Sequence, residues 1–170
     1  IKDKRANDNV VSARFMIFDL DHVKDIEAIK QKAVLKFPWI RYAFRSVTDG
    51  VKLIAMMEKP ISDESKFRTI YSYLCLQIET LLKIPCDHTP DWARACFFSY
   101  DHELIDNLRN LKPLDTEDYY RQAVSFREFQ RGSNMLSRSN LRHSPDTHFT
   151  PSSTGAKDSC VDIGNPCDRM

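Results

Sequence analysis

The sequence has no long hydrophobic run and no excess of charge of either sign. No apolar stretch approaches the length of about 18 residues that marks a membrane-spanning helix, and no signal peptide opens the chain. Its 25 basic and 24 acidic residues give a formal net charge of +1, so any nucleic-acid binding must come from a local basic patch. We therefore expect a cytoplasmic protein with no membrane partner.

Zinc-binding patterns are also missing. The five cysteines contain no CxxC pair and no His/Cys pair at zinc spacing, and the histidines do not recur at i, i+4 on a helix. An odd number of cysteines, three of them in or beside apolar runs, is typical of reduced thiols in a cytoplasmic protein. The cysteines are Cys75, Cys86, Cys96, Cys160 and Cys167.

A chain of 170 residues can form one domain with an appendage. We expect a ragged lead-in at 1–12, a folded domain at 13–112, a short helical extension at 113–131 and a disordered tail or linker at 132–170. The tail is rich in Ser, Asn, Thr, Pro and Arg and has few large apolar residues, so it cannot bury enough surface to fold. Because the first residue is Ile, we also expect the sequence to be an excerpt or a processed product.

Hydrophobic periodicity predicts six elements in the folded domain. They are a strand at 14–21, a helix at 25–37, strands at 41–47 and 51–57 joined by a tight turn, a helix from Ser62 to about Lys83, and a last strand at 94–100. The order βαββαβ is typical of an α+β, ferredoxin-like or RRM-like fold, with one antiparallel sheet and both helices on one face. The other face is expected to be open for ligands.

The first strand ends in two acids one residue apart, Asp19 and Asp21. Side chains alternate along a strand, so both acids share one face about 7 Å apart, while Met16, Phe18 and Leu20 face the core. Two hard oxygen ligands suit Mg²⁺ or Mn²⁺ better than zinc. A D-x-D pair is also common by chance, in which case the acids are merely solvated.

Alternation places further polar residues on the same open face. Ser46 and Lys52 fall there on the two hairpin strands, and Arg94 falls there on the last strand. An acid flanking that strand, Asp87 or Asp91, is a candidate third metal ligand. Carboxylates for a metal and cations for phosphate oxygens are what a site for a metal-bound triphosphate needs. Taken singly, each cation is more simply a solvated strand residue.

Three segments together resemble a known family. They are residues 18–22 (FDLDH), 44–52 (FRSVTDGVK) and 87–101 (DHTPDWARACFFSYD). Their order and spacing are similar to the VirE N-terminal-type primase-like domain of bacterial mobile elements, in the archaeo-eukaryotic primase and primase-polymerase superfamily. The resemblance covers about residues 12–112, with Lys52 standing where many members have His.

The resemblance implies a nucleotidyltransferase that acts in replication of a mobile element or phage, by two-metal chemistry with Mg²⁺ or Mn²⁺. Its implied partners are a single-stranded DNA template, an NTP or dNTP, and a helicase domain or protein. The implied catalytic residues are Asp19, Asp21 and Asp87, with Asp91 as a rival metal ligand. The implied nucleotide-binding residues are Ser46, Lys52 and Arg94, and the candidate base-stacking aromatics are Tyr42, Phe44, Phe98 and Tyr100.

Two other functions fit the same residues. A haloacid-dehalogenase-type phosphatase also carries D-x-D after an apolar strand, but it requires D-x-D-G-T and a parallel sheet, whereas His22 and Val23 follow here. A catalytically inactive module could instead keep the fold for docking DNA or a partner beside a helicase.

Overall fold

The computed structural model describes residues 9–94, 96 and 99–140. Four strands and three helices are formed in these residues. They are β1 (Ala13–Leu20), α1 (Ile26–Lys36), β2 (Ile40–Arg45), β3 (Val51–Ile61), α2 (Glu64–Leu82), β4 (Ile105–Asp106) and α3 (Thr116–Asn140), with a short 3-10 turn at Leu108–Asn110.

Aspartates begin the first two helices. The Asp25 carboxylate accepts a hydrogen bond from the Ala28 N–H at 3.0 Å, and the Asp63 carboxylate does the same for the Lys66 N–H at 3.0 Å. Each side chain satisfies one backbone donor that has no partner within the helix. The second helix was expected to be capped by Ser62, so its cap lies one residue later than predicted.

The sheet has the strand order β1-β3-β2-β4, and all of its pairings are antiparallel. β2 and β3 form the predicted hairpin, and the Ser46 N–H donates to the Gly50 carbonyl at 2.9 Å to close it. With α1 and α2 in the same hydrophobic core, this confirms the α+β class and the ferredoxin-like βαββαβ order.

The last strand does not lie where the sequence predicts it. In the segment 94–100, the described residues Arg94, Cys96, Ser99 and Tyr100 belong to no strand. The fourth strand is β4, which pairs with β2 through Tyr42 opposite Asp106. Among the described residues after α2, a single antiparallel bridge between Leu20 and Cys86 pairs with the outer edge of β1.

The core lies between the sheet and the helices, as the alternation predicts. Met16, Phe18 and Leu20 of β1 are fully buried. From β3, the inward set predicted from the sequence is also fully buried: Val51, Leu53, Ala55 and Met57. The outward set of the sheet therefore carries the candidate site residues.

The second face of the sheet is less open than predicted. Phe44 and Ile54 belong to the outward set, yet both are buried. Arg94 hydrogen bonds to Asp19 and Ser99 to the Arg45 carbonyl, so the segment after α2 contacts both β1 and β2. Only part of the face is left for a ligand.

α3 extends the domain beyond the predicted boundary. It packs against α2 through the buried Ala123 and through Phe126, whose ring lies 5.6 Å from that of Tyr73. The helix covers the predicted extension and continues through residues 132–140 of the predicted tail, whereas residues 141–170 lie outside the described residues. No helix in the described part is both long and apolar enough to cross a membrane.

Candidate functional site

The site is built where the end of β1 meets the β2–β3 hairpin. The Val23 N–H donates to the Asp49 carbonyl at 2.9 Å, which joins the loop after β1 to the turn. Gly50 packs so closely that a Cβ there would lie 2.5 Å from the Leu20 carbonyl oxygen. Only glycine fits this contact without a shift of the backbone. The register then sets Asp19 directly opposite Lys52.

Four charged side chains converge beside this junction; we call Asp19, Lys52, Asp87 and Arg94 the charged cluster. The Asp19 Oδ2 atom accepts from the Lys52 ammonium and from Arg94 Nη2 at 3.2 Å. The same Arg94 nitrogen lies 2.7 Å from Asp87 Oδ2. The two carboxylates, from segments far apart in the chain, therefore face one guanidinium nitrogen from two sides.

Asp87 is held in place by both its backbone and its side chain. Its N–H donates to the Asp19 carbonyl at 2.9 Å, and its own carbonyl accepts from the Tyr71 hydroxyl at 2.9 Å. Its Oδ1 atom accepts from the Thr89 N–H and hydroxyl. Burial alone would raise the pKa of Asp87, but the hydrogen bonds from Thr89 and Arg94 outweigh it and lower that pKa.

Arg94 is correspondingly favoured in its charged form. Burial would lower the pKa of its guanidinium, but the hydrogen bond to Asp87 and the nearby negative charges raise it. The predicted grouping of Asp19, Asp87, Lys52 and Arg94 is thus present, with the cations bound to the acids.

Three other predicted site residues lie outside the cluster. Asp21 is exposed, and its Oδ1 atom lies 3.4 Å from the position of a Gly50 Cβ. Ser46 is buried in the hairpin turn, where its hydroxyl lies 3.3 Å from that of Thr48. The Asp91 carboxylate accepts from the Ala93 N–H at 3.0 Å.

The donor set suits a hard divalent cation by its chemistry. Carboxylate oxygens are the ligands that Mg²⁺ and Mn²⁺ prefer, and Asp19 and Asp87 already hold a positive group between them. In the described part of the chain, no group of three or more His, Cys, Asp or Glu side chains is arranged to hold a metal ion. A metal bound by both carboxylates would have to replace Arg94.

The aromatic residues proposed as stacking platforms differ in exposure. Phe44 is buried, so its ring is not available to a base. Tyr42 is half-buried beneath the Arg41 guanidinium, 4.6 Å from the ring centre, whereas Tyr100 is exposed. Phe98 lies outside the described residues. Of the three candidates that the structure describes, Tyr100 is therefore the most accessible.

A buried ion pair near the site was not predicted. Lys30 of α1 is completely buried, and its ammonium lies 2.8 Å from the Asp101 carboxylate and 2.9 Å from the Glu103 carbonyl. Asp101 also accepts from the Arg45 N–H at 2.8 Å, which ties the segment that carries Arg94 to β2. Lys30 lies four residues after Ile26 and three before Ala33, on the apolar face of α1. A lysine on the apolar face of a predicted helix is the sequence signal from which this buried ion pair could have been predicted.

A second pairing beneath the site involves two thiols. The Cys75 and Cys86 sulfur atoms lie 3.4 Å apart, and all three cysteines in the described residues are free, as the sequence predicts. The hydrogen bond with Cys75 and burial both raise the pKa of the Cys86 thiol. The Cys86 thiol is therefore a poor nucleophile at neutral pH.

Comparison with known proteins assigns the chain to a class of domain. The family model described as the BT4734-like N-terminal domain matches residues 2–105, which is more than half of the chain. The chain therefore belongs to this family. No curated protein and no solved structure matches it. The family description states no activity, so the primase-like resemblance remains a prediction.

Proposed function

We propose that this domain is a primase-polymerase-like nucleotidyltransferase, which extends a strand on a single-stranded DNA template during replication of a mobile element or phage. The observation that carries the proposal is the convergence of Asp19, Lys52, Asp87 and Arg94 at one end of the outward face of the sheet. These residues come from three segments that are far apart in the sequence. Acids and cations in contact are what a site for a metal-bound triphosphate requires.

Asp19 and Asp87, with Asp21 beside them, would hold Mg²⁺ or Mn²⁺. Such a metal, when bound, supplies the charge neutralisation that phosphoryl transfer needs at the attacking and leaving oxygens. Lys52 and Arg94 would then turn from the carboxylates toward phosphate oxygens, as both are long side chains that are partly exposed, by 15% and 19%. Lys52 binds phosphate as a point charge, whereas the planar fork of Arg94 can contact two oxygens.

A purified chain incubated with a single-stranded template, NTPs or dNTPs, and Mg²⁺ or Mn²⁺ tests the proposal. Asp19→Asn is expected to lower strand synthesis by about two orders of magnitude, as measured on denaturing gels. Asp118→Asn is a matched control, because Asp118 lies on α3 and pairs with Arg121 there. Mn²⁺ binding followed by electron paramagnetic resonance gives a second readout, which Asp19→Asn and Asp87→Asn should both weaken.

One alternative is favoured by a specific observation. Asp19 Oδ2 and both carboxylate oxygens of Asp87 are already hydrogen bonded to Lys52, Arg94 or Thr89. Such internal pairing is what a catalytically inactive DNA- or partner-binding module beside a helicase would show. If the wild-type chain makes no product but binds single-stranded DNA, this alternative replaces nucleotidyl transfer. The phosphatase alternative lacks support, because it requires a parallel sheet and the described pairings are antiparallel.

A further inference from the structure

A cleft of about 740 Å³ opens beside the charged cluster, between the loop after β1 and the segment after α2. Asp21 and Asp87 line the side that adjoins the cluster. Its volume lies within the range of about 300–1,000 Å³ that is typical of small-molecule sites. The backbone conformation, charge and polarity of the residues that line the cleft indicate which kind of ligand fits it.

Two residues on the walls adopt a left-handed backbone conformation without being glycine. They are His22, with φ 56°, and Lys83, with φ 63°, and no other non-glycine residue in the described part has a positive φ. Lys83 ends α2, and its N–H donates to the Glu79 carbonyl at 2.9 Å. Glycine adopts this conformation without steric cost and is the usual residue there. A lysine at this position therefore carries a steric cost that a glycine would not.

The cleft also carries cations that have no acid partner. Lys24 and Lys83 both line it, and neither forms an ion pair with any described residue. Lys30 and Lys52, by contrast, are bound to Asp101 and Asp19. The ammonium groups of Lys24 and Lys83 are therefore free to bind an anion, whereas those in the charged cluster and beneath it are engaged.

The remaining walls are mostly apolar; Asp25 also lines the cleft, and its carboxylate accepts a hydrogen bond from the Ala28 N–H. The apolar residues are Val23, Ile29, Leu82, Ile84 and Pro85. A ligand that fills the whole cleft would have an apolar part and an anionic part, with the anion near Asp87, which belongs both to the cleft and to the charged cluster. A nucleoside triphosphate has this distribution of groups, whereas a free phosphate would leave the apolar wall uncovered.

We propose that this cleft binds the nucleoside triphosphate substrate, with Lys24 and Lys83 contacting its phosphates and its base or sugar packed against Ile29 and Ile84. The proposal rests on the proposed nucleotidyl transfer and adds Lys24 and Lys83 to Lys52 and Arg94 as phosphate-binding residues. Ser46 was predicted for that role, but its hydroxyl is enclosed in the hairpin turn.

Lys83→Gly tests whether the Lys83 side chain binds the ligand or only supports the structure. Glycine relieves the left-handed strain, so the melting temperature should rise by about 2–4 °C. Loss of the ammonium should weaken nucleotide binding by about tenfold. Lys83→Asn removes the charge and tolerates the same φ, so it should weaken binding equally. Lys59→Ala, at an exposed position on β3 outside the cleft, is the charge control and should bind as the wild type does.

Isothermal titration calorimetry in Mg²⁺ measures the affinity of each protein for two probes. The probes are the α,β-imido analogue of ATP, which cannot be incorporated, and inorganic tripolyphosphate. Weaker binding of both probes by the two Lys83 variants, with Lys59→Ala unchanged, supports the proposal. Absence of binding by the wild type, equal binding by the Lys83 variants, or a loss confined to the analogue overturns it.

Strand synthesis by the same proteins keeps this proposal apart from the proposed function. If the wild type synthesises strands and Lys83→Asn leaves the KM for nucleotide unchanged, the cleft is not the substrate site, but nucleotidyl transfer stands. If the wild type synthesises no nucleic-acid strand, yet Lys83→Asn binds the nucleotide more weakly than the wild type does, the nucleotide site in the cleft is supported and nucleotidyl transfer is contradicted.

Discussion

At the scale of single residues, Arg94 offsets the negative charge of the two acids in the candidate site. It contacts Asp19 from β1 and Asp87 from the segment after α2, so two carboxylates that would repel each other share one cation. Both acids were predicted for the site, and so was Arg94. Their mutual pairing was not, because strand alternation gives the face on which a side chain lies but not the path of a loop.

Arg94→Gln tests this role directly. Without the guanidinium, the pKa of Asp87 should rise, because one of the hydrogen bonds that lower it is lost while Thr89 remains. Carbon-detected NMR of the carboxyl resonances from neutral to acid pH measures this pKa. Arg109→Gln, at an exposed position in the 3-10 turn, should leave it unchanged. An Asp87 pKa that is the same in Arg94→Gln and the wild type would contradict the assignment.

At the scale of elements, the hairpin and the first strand fix the geometry of the site. Gly50→Ala is expected to destabilise the protein by about 1–3 kcal/mol, because the added methyl group would lie 2.5 Å from a backbone oxygen of Leu20. Urea denaturation measures the loss. Asp49→Ala changes the neighbouring exposed turn position and should alter stability by no more than about 0.5 kcal/mol. Equal stability of the two variants would show that the close contact at Gly50 is not maintained in solution.

The elements also show what periodicity can and cannot predict. The helices, the hairpin and the inward set of β1 and β3 follow from local patterns of apolar residues, and the structure confirms them. The predicted strand at 94–100 has strand-forming residues, but other segments already pair with both edges of the sheet. Cys86 bridges the outer edge of β1, and Ile105–Asp106 pairs with β2. Competition for a sheet edge depends on contacts distant in the chain, which a local pattern does not contain.

At the scale of the whole molecule, the buried pair of Lys30 and Asp101 joins α1, the end of β2 and the segment that carries Arg94. Lys30 is completely buried, and the Asp101 side chain is only 4% exposed. Burial alone would raise the pKa of Asp101, but hydrogen bonds from Lys30 and from two backbone N–H groups lower it. Its ionised form is therefore part of the folded state.

The pH dependence of stability follows from that shift. Because the folded pKa of Asp101 lies below its unfolded value, the stabilisation is complete above about pH 4 and is lost as the pH falls through the folded pKa. Lys30→Met would leave the carboxylate buried without its cation and should cost about 3–5 kcal/mol at pH 7. Without Lys30, burial raises the pKa of Asp101 in the variant, and protonation of the carboxyl removes the penalty, so the stability gap between Lys30→Met and the wild type should narrow as the pH falls from 7 to below 4.

Urea denaturation of both proteins across this pH range measures the gap. Lys36→Met, at an exposed position in the last turn of α1, is the matched control and should follow the wild type throughout. Lys30→Met combined with Asp101→Leu removes both buried charges and leaves only Glu27, the half-exposed second partner of Lys30, so it should recover part of the loss at pH 7 and lose most of the pH-dependent narrowing. A gap that stays constant from pH 7 to below pH 4 would mean that packing around Lys30, and not its charge, holds α1 to the segment beside the candidate site.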